Sequence, residues 1–242
     1  MKRLIIVGLI TLVVIMLATF PARVAYHWFA PVELRLSGIA GSVWNGSAVE
    51  GVAGGAYVRN IAWRFKPLSL LSGNLAFATT SNPASGSMNS DVAVSPDGTL
   101  TLSSLSGTVP LDLVHPVFRQ SGMRGDIALQ FDTLVIRDGI PVAATGSVTV
   151  AGFFVRDLSS SRLGNFRADF QTRDGRIIGS VEDLTGVLDV TGSISLNQDR
   201  SYAFIGQVAA TPSTPQSIVN QLRFLGSANE RGQHEFRFEG QL

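Results

Sequence analysis

The sequence predicts a mainly β protein: an elongated, curved antiparallel sheet forming a groove or a partly open barrel, with one N-terminal transmembrane helix and two short helices. Three observations carry this. After residue 35 apolar and polar residues alternate, as in Ile127, Leu129 and Phe131 or Ile194 and Leu196, which is the two-residue period of a half-buried strand. The alternating runs recur beside glycines, at Gly73, Gly107, Gly125, Gly146, Gly192 and Gly206, where the missing Cβ admits a bulge or the close approach of a neighbouring backbone. The first twenty residues stand apart as an apolar run with charge only at its start.

Met1, Lys2 and Arg3 precede an uncharged stretch from Leu4 to Ala22, broken only by Gly8, Thr11, Thr19 and Pro21. As a helix from Leu4 to Phe20 it reaches about 26 Å at about 1.5 Å per residue, close to a hydrocarbon core of about 30 Å. A cleaved signal peptide is the competing reading, with an apolar region of about 7 to 15 residues and a small-x-small cleavage site. Here Thr19, Phe20 and Pro21 follow Ala18, and a cut after Ala25 would put Arg23 three residues before it. Length and flanks favour an uncleaved anchor. Lys2 and Arg3 then keep the N-terminus cytoplasmic, so the bulk faces the other side of the membrane, which in a Gram-negative cell is the periplasm. Residues 1–25 form the cytoplasmic tip and transmembrane helix, and residues 26–242 the periplasmic β-domain. Tyr26, Trp28 and Phe29 suit either an interfacial aromatic belt or a linker packed on the domain.

From Leu34 to Arg64 short strands are expected, joined by turns at Asn45-Gly46 and Gly54-Gly55, pairs that tolerate positive φ. Pro67 ends the first block, and PLSLLSG makes a bend or helical turn before a strand from Asn74 to Thr79. Residues 81 to 90 are polar and turn-rich, a loop or hairpin tip. Ser95-Pro96-Asp97-Gly98 turns the chain from a strand centred on Val92 into one from Thr99 to Leu105. Alternation then stops, and Leu111, Leu113, Val114, Val117 and Phe118 cluster as one or two helical turns that Gly122 ends. The longest clean β block follows, with its hairpin at Asp138-Gly139. After a loop at 157–162, further turns fall at Asp174-Gly175 and near Asp199. In 211–226, Thr214 is the expected N-cap, Pro215 the first helical residue, Ile218, Val219, Leu222 and Leu225 the apolar stripe, and Gly226 the stop. Phe236 and Phe238 alternate with Arg237 and Glu239 in a final strand. No boundary splits residues 26–242.

Chemistry-bearing patterns are sparse. The formal net charge is +1, with 19 Lys and Arg scattered among 18 Asp and Glu, which does not make the concentrated basic patch that nucleic acid requires. With no cysteine there is no disulfide, thiol nucleophile or thiolate metal site. His27, His115 and His234 lie far apart, none with a carboxylate at ligand spacing, so no metal is expected. There is no G-x-S-x-G elbow, Walker loop or dinucleotide fingerprint. Neighbouring acids such as Glu182 and Asp183 point to opposite faces of a strand, which does not suit paired acid and base work. The chain is read as a non-enzyme without catalytic residues, metal or cofactor. The run Ala151–Val155, AGFFV, is apolar beyond one face; it either fills a core or lines an apolar groove.

Several features in order carry a resemblance: the N-terminal apolar helix; L-x-G-x-x-G-x-x-W-x-G at Leu36, Gly38, Gly41, Trp44 and Gly46; and W-x-x-x-P with a leucine-rich turn at Trp63, Pro67, Leu68, Leu70, Leu71 and Gly73. His115-Pro116 follows, then Pro215, Ile218, Leu222, Leu225 and Gly226, and an F-x-G-x-L ending. In this order the chain resembles the type II secretion system protein N family (general secretory pathway protein N), itself similar to the wider AsmA-like group of elongated β-grooves linked to envelope lipid handling. The resemblance implies an inner-membrane protein with a periplasmic β-domain that supports export of folded proteins across the outer membrane through contacts with other secretion components. It brings no catalytic residues, and Trp44 is read as structural rather than as a contact residue. The alternative is an envelope protein whose groove holds lipid or another apolar ligand.

Overall fold

The structure, a computed structural model, describes residues 2–30, 34–53, 56–83, 86–111, 122–156 and 162–241. Among the described residues fourteen strands form one open antiparallel sheet. They are β1 (Arg35–Ser37), β2 (Ala40–Gly41), β3 (Asn45–Ala53), β4 (Ala56–Phe65), β5 (Leu75–Pro83), β6 (Ser87–Val94) and β7 (Leu100–Pro110). There follow β8 (Met123–Arg137), β9 (Ile140–Val155), β10 (Gly164–Arg173), β11 (Arg176–Gly186), β12 (Leu188–Leu196), β13 (Ser201–Ala210) and β14 (His234–Gln241). From β3 onward each strand pairs with the next in sequence, β1 pairs with β3, and β2 is a short second partner of β3. The fold is therefore a meander, local in sequence, and its turn chemistry sets the register.

Asp138 and Gly139 have φ of 51° and 76°, and Asp174 and Gly175 have 49° and 71°. Consecutive positive φ values make the two-residue turns that match strand twist, and they join Arg137 to Ile140 and Arg173 to Arg176 in register. At Ser95–Gly98 the Gly98 N–H donates to the Ser95 carbonyl at 3.0 Å, and the Asp97 carboxylate accepts from the backbone N–H and the hydroxyl of Thr99, each at 3.0 Å.

Several expectations are corrected. Asn45 and Gly46 are not the turn but the start of β3, with Gly46 opposite Gly41. The chain reverses just before them, where the Ser42 N–H donates to the Asn45 carbonyl at 2.9 Å. Residues 81 to 90 are largely strand, since Ser81 pairs with Met88, so the tip shrinks to the residues between Pro83 and Ser87. The polar residues that suggested a loop are spread over both faces of the hairpin, Ser87 and Asn89 exposed and Ser90 buried. The strand expected to end at Leu105 runs on to Pro110. The expected Gly54-Gly55 turn lies outside the described residues, although Ala53 pairs with Ala56 across it. The helical turns expected over 110–120 also lie outside them beyond Leu111.

Helices occupy the two ends of the sheet. α1 (Lys2–Ala18) and α2 (Ala22–Phe29) are separated at Pro21. Pro21 has no N–H to give the Leu17 carbonyl four residues earlier, which breaks the helix. That carbonyl instead accepts the Trp44 indole N–H at 2.7 Å and, more loosely, the Phe20 N–H at 3.3 Å. Among the described residues no helix is both long and apolar enough to cross a membrane; α1 has 17 residues. α2 went unread in the sequence. Its Tyr26 packs on the domain: the hydroxyl donates to the Leu34 carbonyl at 3.1 Å and accepts the Leu36 N–H at 3.0 Å. Trp28 stays 65% exposed, with its ring 6.1 Å from Phe20. PLSLLS forms a 3-10 turn, Pro67–Ser72, closed by Gly73 at φ 77°.

The C-terminal helix α3 (Gln216–Leu222) continues as a 3-10 turn, Arg223–Leu225, and stops at Gly226 with φ 110°. Its cap is one residue later than expected. Pro215, at φ −58° and ψ 143°, takes the N-cap position without a side-chain bond. The Thr214 hydroxyl is engaged elsewhere, donating to the Val187 carbonyl and accepting the Thr211 N–H at 2.7 Å.

One face of the sheet is mainly apolar, with Thr79, Ser90 and Thr172 among the polar residues it carries. Reading the register across, Phe65, Phe77, Val92, Leu102, Leu134 and Ala144 lie opposite one another on β4 to β9. Thr172, Ile177, Leu196 and Tyr202 extend that row to β13. A single layer leaves such a face without the second layer that normally buries it. Accordingly, no described side chain reaches full burial. Two clusters come nearest: Leu105, Phe131, Ala144 and Ile177 in mid-sheet, and Val155, Leu163 and Val208 beneath Ile218 and Leu222 of α3.

Candidate functional site

Two features stand out: a groove on the apolar face and the outer edge of β14. Every second residue of β9 to β14 points to the apolar face. Between β9 and β14 these side chains, with Leu225 at the end of α3 as a wall, line a groove of about 450 Å³. All twelve lining residues are Val, Leu or Phe, among them Val150, Phe153, Phe166, Val190, Phe204 and Phe236. Aromatic pairs set its floor: Phe153 meets Phe166 edge-on with centroids 5.8 Å apart, and Phe204 meets Phe236 at 5.0 Å. The run 151–155 serves both expected uses. Phe153 lines the groove, Val155 is buried under α3, and Phe154 points to the opposite face.

That opposite face is polar. A hollow of about 880 Å³ is lined there by Arg124, Asp126, Arg162, Asn165 and Thr185 together with Ala151, Phe154 and glycines. The Asn165 amide is consumed inside it, accepting the Gly152 N–H and donating to the Thr185 hydroxyl, both at 2.7 Å. Further along, Arg167 forks onto Asp169 at 2.8 Å, a contact that holds the Asp169 carboxyl below its usual range.

Several other charged groups serve turns and edges. Glu50 accepts from the Tyr57 hydroxyl at 2.6 Å and from Ser37 at 2.9 Å, which lowers the Glu50 pKa and raises that of Tyr57. His234 Nδ1 lies 2.8 Å from the Gly226 carbonyl and ties the end of α3 to β14. His27 sits in the last turn of α2, and His115 lies outside the described residues. Glu182 and Asp183 divide between faces as expected: Glu182 is exposed opposite Arg167, whereas Asp183 accepts the Val190 N–H at 2.8 Å. Among the described residues no three His, Asp or Glu side chains converge as metal ligands.

The two edges of the sheet differ. At β1, the Tyr26 hydroxyl occupies the backbone groups of Leu34 and Leu36 as a neighbouring strand would. At β14, eight successive residues pair with β13 without a bulge, and among the described residues nothing pairs with its outer side. The sequence showed β14 as a strand but gave no sign that it ends the sheet, because strand order is a property of the whole meander.

Comparison with known proteins gives a match along most of the chain. Residues 33–237, from just before β1 into β14, match the family model described as type II secretion system (T2SS), protein N. The chain is also similar to the type II secretion system protein N of Aeromonas hydrophila, 22% identical over 275 aligned positions that cover all of both chains. No solved structure matches.

Proposed function

Since the chain belongs to the type II secretion system protein N family, we propose that it is an inner-membrane-anchored, periplasmic component of that system, supporting export of folded proteins across the outer membrane through contacts with other secretion components. What carries the reading is the extent of the match: residues 33–237 take in the sheet rather than an isolated motif. In this reading residues 1–25 are the cytoplasmic tip and anchor, and residues 26–242 stand in the periplasm. The chain carries out no catalytic step and needs no metal or cofactor.

Anchoring by α1 is supported by its surface. Its large apolar side chains from Leu4 to Leu17 are between 48% and 77% exposed, a continuous apolar surface that water penalises at roughly 25 cal/mol per Å². Its apolar part, residues 4–18 of the helix, spans about 22 Å, and thinning of the bilayer narrows the gap to about 30 Å at fractions of a kcal/mol per Å. The test is deletion of the gene: secreted substrates then accumulate in the periplasm, and the full chain restores their release. Undisturbed secretion in the deletion strain would overturn the assignment.

The groove favours a second reading, in which the protein binds lipid or another apolar ligand of the envelope. Its twelve lining side chains carry no polar group, as an acyl chain requires and as a protein hot spot with aromatic hydroxyls or arginine does not. Native mass spectrometry of the full chain released from detergent distinguishes the two. A co-purified lipid lost on Val190→Gln supports the groove, and a ligand-free protein ends it.

A further inference from the structure

We propose that two copies of this chain join edge to edge through β14, in an antiparallel pairing centred on Phe238. The inference starts from the asymmetry of the edges. A sheet edge offers unpaired N–H and C=O groups, and soluble proteins blunt it with proline, lysine, bulges or a covering element. The β1 edge is covered by Tyr26. The β14 sequence HEFRFEGQ holds no proline and no lysine, and its register with β13 is unbroken from His234 to Gln241.

The side chains of β14 then select the partner. Glu235, Arg237 and Glu239 stand on one face and Phe236, Phe238 and Gly240 on the other, by the alternation of a strand. When Phe238 of one copy faces Phe238 of the second, each Arg237 falls opposite the second copy's Glu239, and each Phe236 opposite the second copy's Gly240. The outer face gains two cross-strand ion pairs of opposite sign. Within one chain Arg237 already binds Glu239, so the pairing completes an alternating row of four charges. A shift of register by two residues, which moves the centre from Phe238 to Arg237, opposes Arg237 to Arg237 and Glu235 to Glu239, the arrangement that like charges disfavour.

The apolar face obeys a rule this sheet uses internally. Gly146 lies opposite Phe131 on one neighbour and Phe170 on the other, a glycine flanked by two rings. Gly240 already lies under the Tyr202 ring, whose hydroxyl oxygen would be 2.6 Å from an added Cβ. The second copy's Phe236 supplies the other flank. Phe238, 59% exposed at the free edge, is covered by its own counterpart, and the groove of each copy becomes continuous with the other. The two-fold axis stands perpendicular to the sheet at β14. Twelve strand spacings at about 4.8 Å put roughly 58 Å of sheet between this seam and β1, so both α1 helices enter one membrane when the paired sheets arch over it.

The chain contains no cysteine, which makes the pairing directly testable in the full-length protein in detergent. Under mild oxidation Phe238→Cys is expected to cross-link to itself, and a mixture of Arg237→Cys and Glu239→Cys chains to form the mixed dimer in preference to either homodimer. Glu182→Cys, exposed in mid-sheet, sets the background. Arg237→Glu should weaken association roughly tenfold, and adding Glu239→Arg in the same chain should restore it. The proposal is overturned if Phe238→Cys links no better than Glu182→Cys, if Arg237→Cys prefers itself, if the double reversal fails to restore association, or if the edge captures a different protein.

Discussion

Phe131 and Phe170 touch across a strand that runs between theirs. Their ring centroids are 6.0 Å apart, although β9 separates β8 from β10 and places the two backbones about 9.6 Å apart. Gly146, directly opposite both, leaves the space over which the rings lean. The same berth recurs: Gly46 lies under Trp63, Gly179 under Phe170 and Gly206 under Phe236, where an added Cβ would come within 2.5, 2.7 and 2.5 Å of the ring.

This relationship predicts that two glycines of similar appearance differ in cost. At Gly146, φ is 155° and an added Cβ would sit 2.3 Å from the Gln130 carbonyl oxygen and 2.5 Å from Phe131 Cα. Gly146→Ala should therefore cost about 3 kcal/mol, combining backbone strain with overpacking. At Gly73, φ is 77° with nothing within 4 Å, and Gly73→Ala should cost about 1 kcal/mol from backbone strain alone. Urea unfolding of the two variants makes the comparison, and equal costs would show that Gly146 is not a berth.

How far the sequence carried the fold follows from the range of each signal. Turns such as Asp138-Gly139 and Asp174-Gly175 and the strands they join were legible, because two residues fix such a turn. The pairing of Gly46 with Trp63 was not, since Asn-Gly mimics a turn wherever it stands and only the neighbouring β4 shows it to be a strand position. α2 escaped for a different reason. Its eight residues are amphipathic at the helical period, but they make only about two turns directly after an apolar run, a window too short for that period to stand out. The groove was legible only as excess apolar character in Ala151–Val155, because which strands close over it depends on contacts remote in sequence.

Trp44 holds the joint between α1 and the sheet, and its indole N–H is expected to matter more than its bulk. Trp44→Phe keeps an aromatic ring over Phe65, now 4.8 Å from it, but removes the donor to Leu17. The loss should be about 1 kcal/mol, the ordinary net worth of one hydrogen bond, and it should be local. Hydrogen exchange is the measurement: the Val43 amide, bonded to the Phe20 carbonyl at 3.0 Å, should exchange faster while β8 and β9 amides stay unchanged. Uniform acceleration would contradict a local joint.

α3 should be the first element to leave the sheet when its stripe is cut. Ile218 and Leu222 are 4% and 7% exposed and pack on Val155, Leu163 and Val208. Leu222→Ala should weaken this docking by about 3 kcal/mol, which raises the population of the undocked helix on the order of 100-fold. Limited proteolysis should then cut within residues 211 to 233 of the variant before any cut in β8 or β9. Simultaneous cleavage throughout would mean that α3 and the sheet unfold as one unit.

Acid should weaken the turn at Asp199 with a defined sign. The Asp199 carboxylate accepts from the Ser201 hydroxyl at 2.6 Å and from the Ser201 N–H at 2.9 Å, and these bonds, the hydroxyl first, hold its pKa below the usual carboxylate value. A group whose pKa is lower in the folded state contributes stability above its unfolded pKa, about 4, and loses it as pH falls through the folded value. Asp97, whose carboxylate accepts from the Thr99 N–H first and its hydroxyl second, behaves in the same sense. Asp199→Asn retains an acceptor for the Ser201 N–H but carries no charge. It should be less stable than the parent at pH 7, and the difference should shrink as pH falls below about 4 and close once pH passes the lowered folded pKa, where the parent carboxylate also becomes neutral. Urea midpoints for both proteins at neutral and acid pH read this directly. A gap that stays constant across the range would mean that ionisation of Asp199 contributes nothing to the turn.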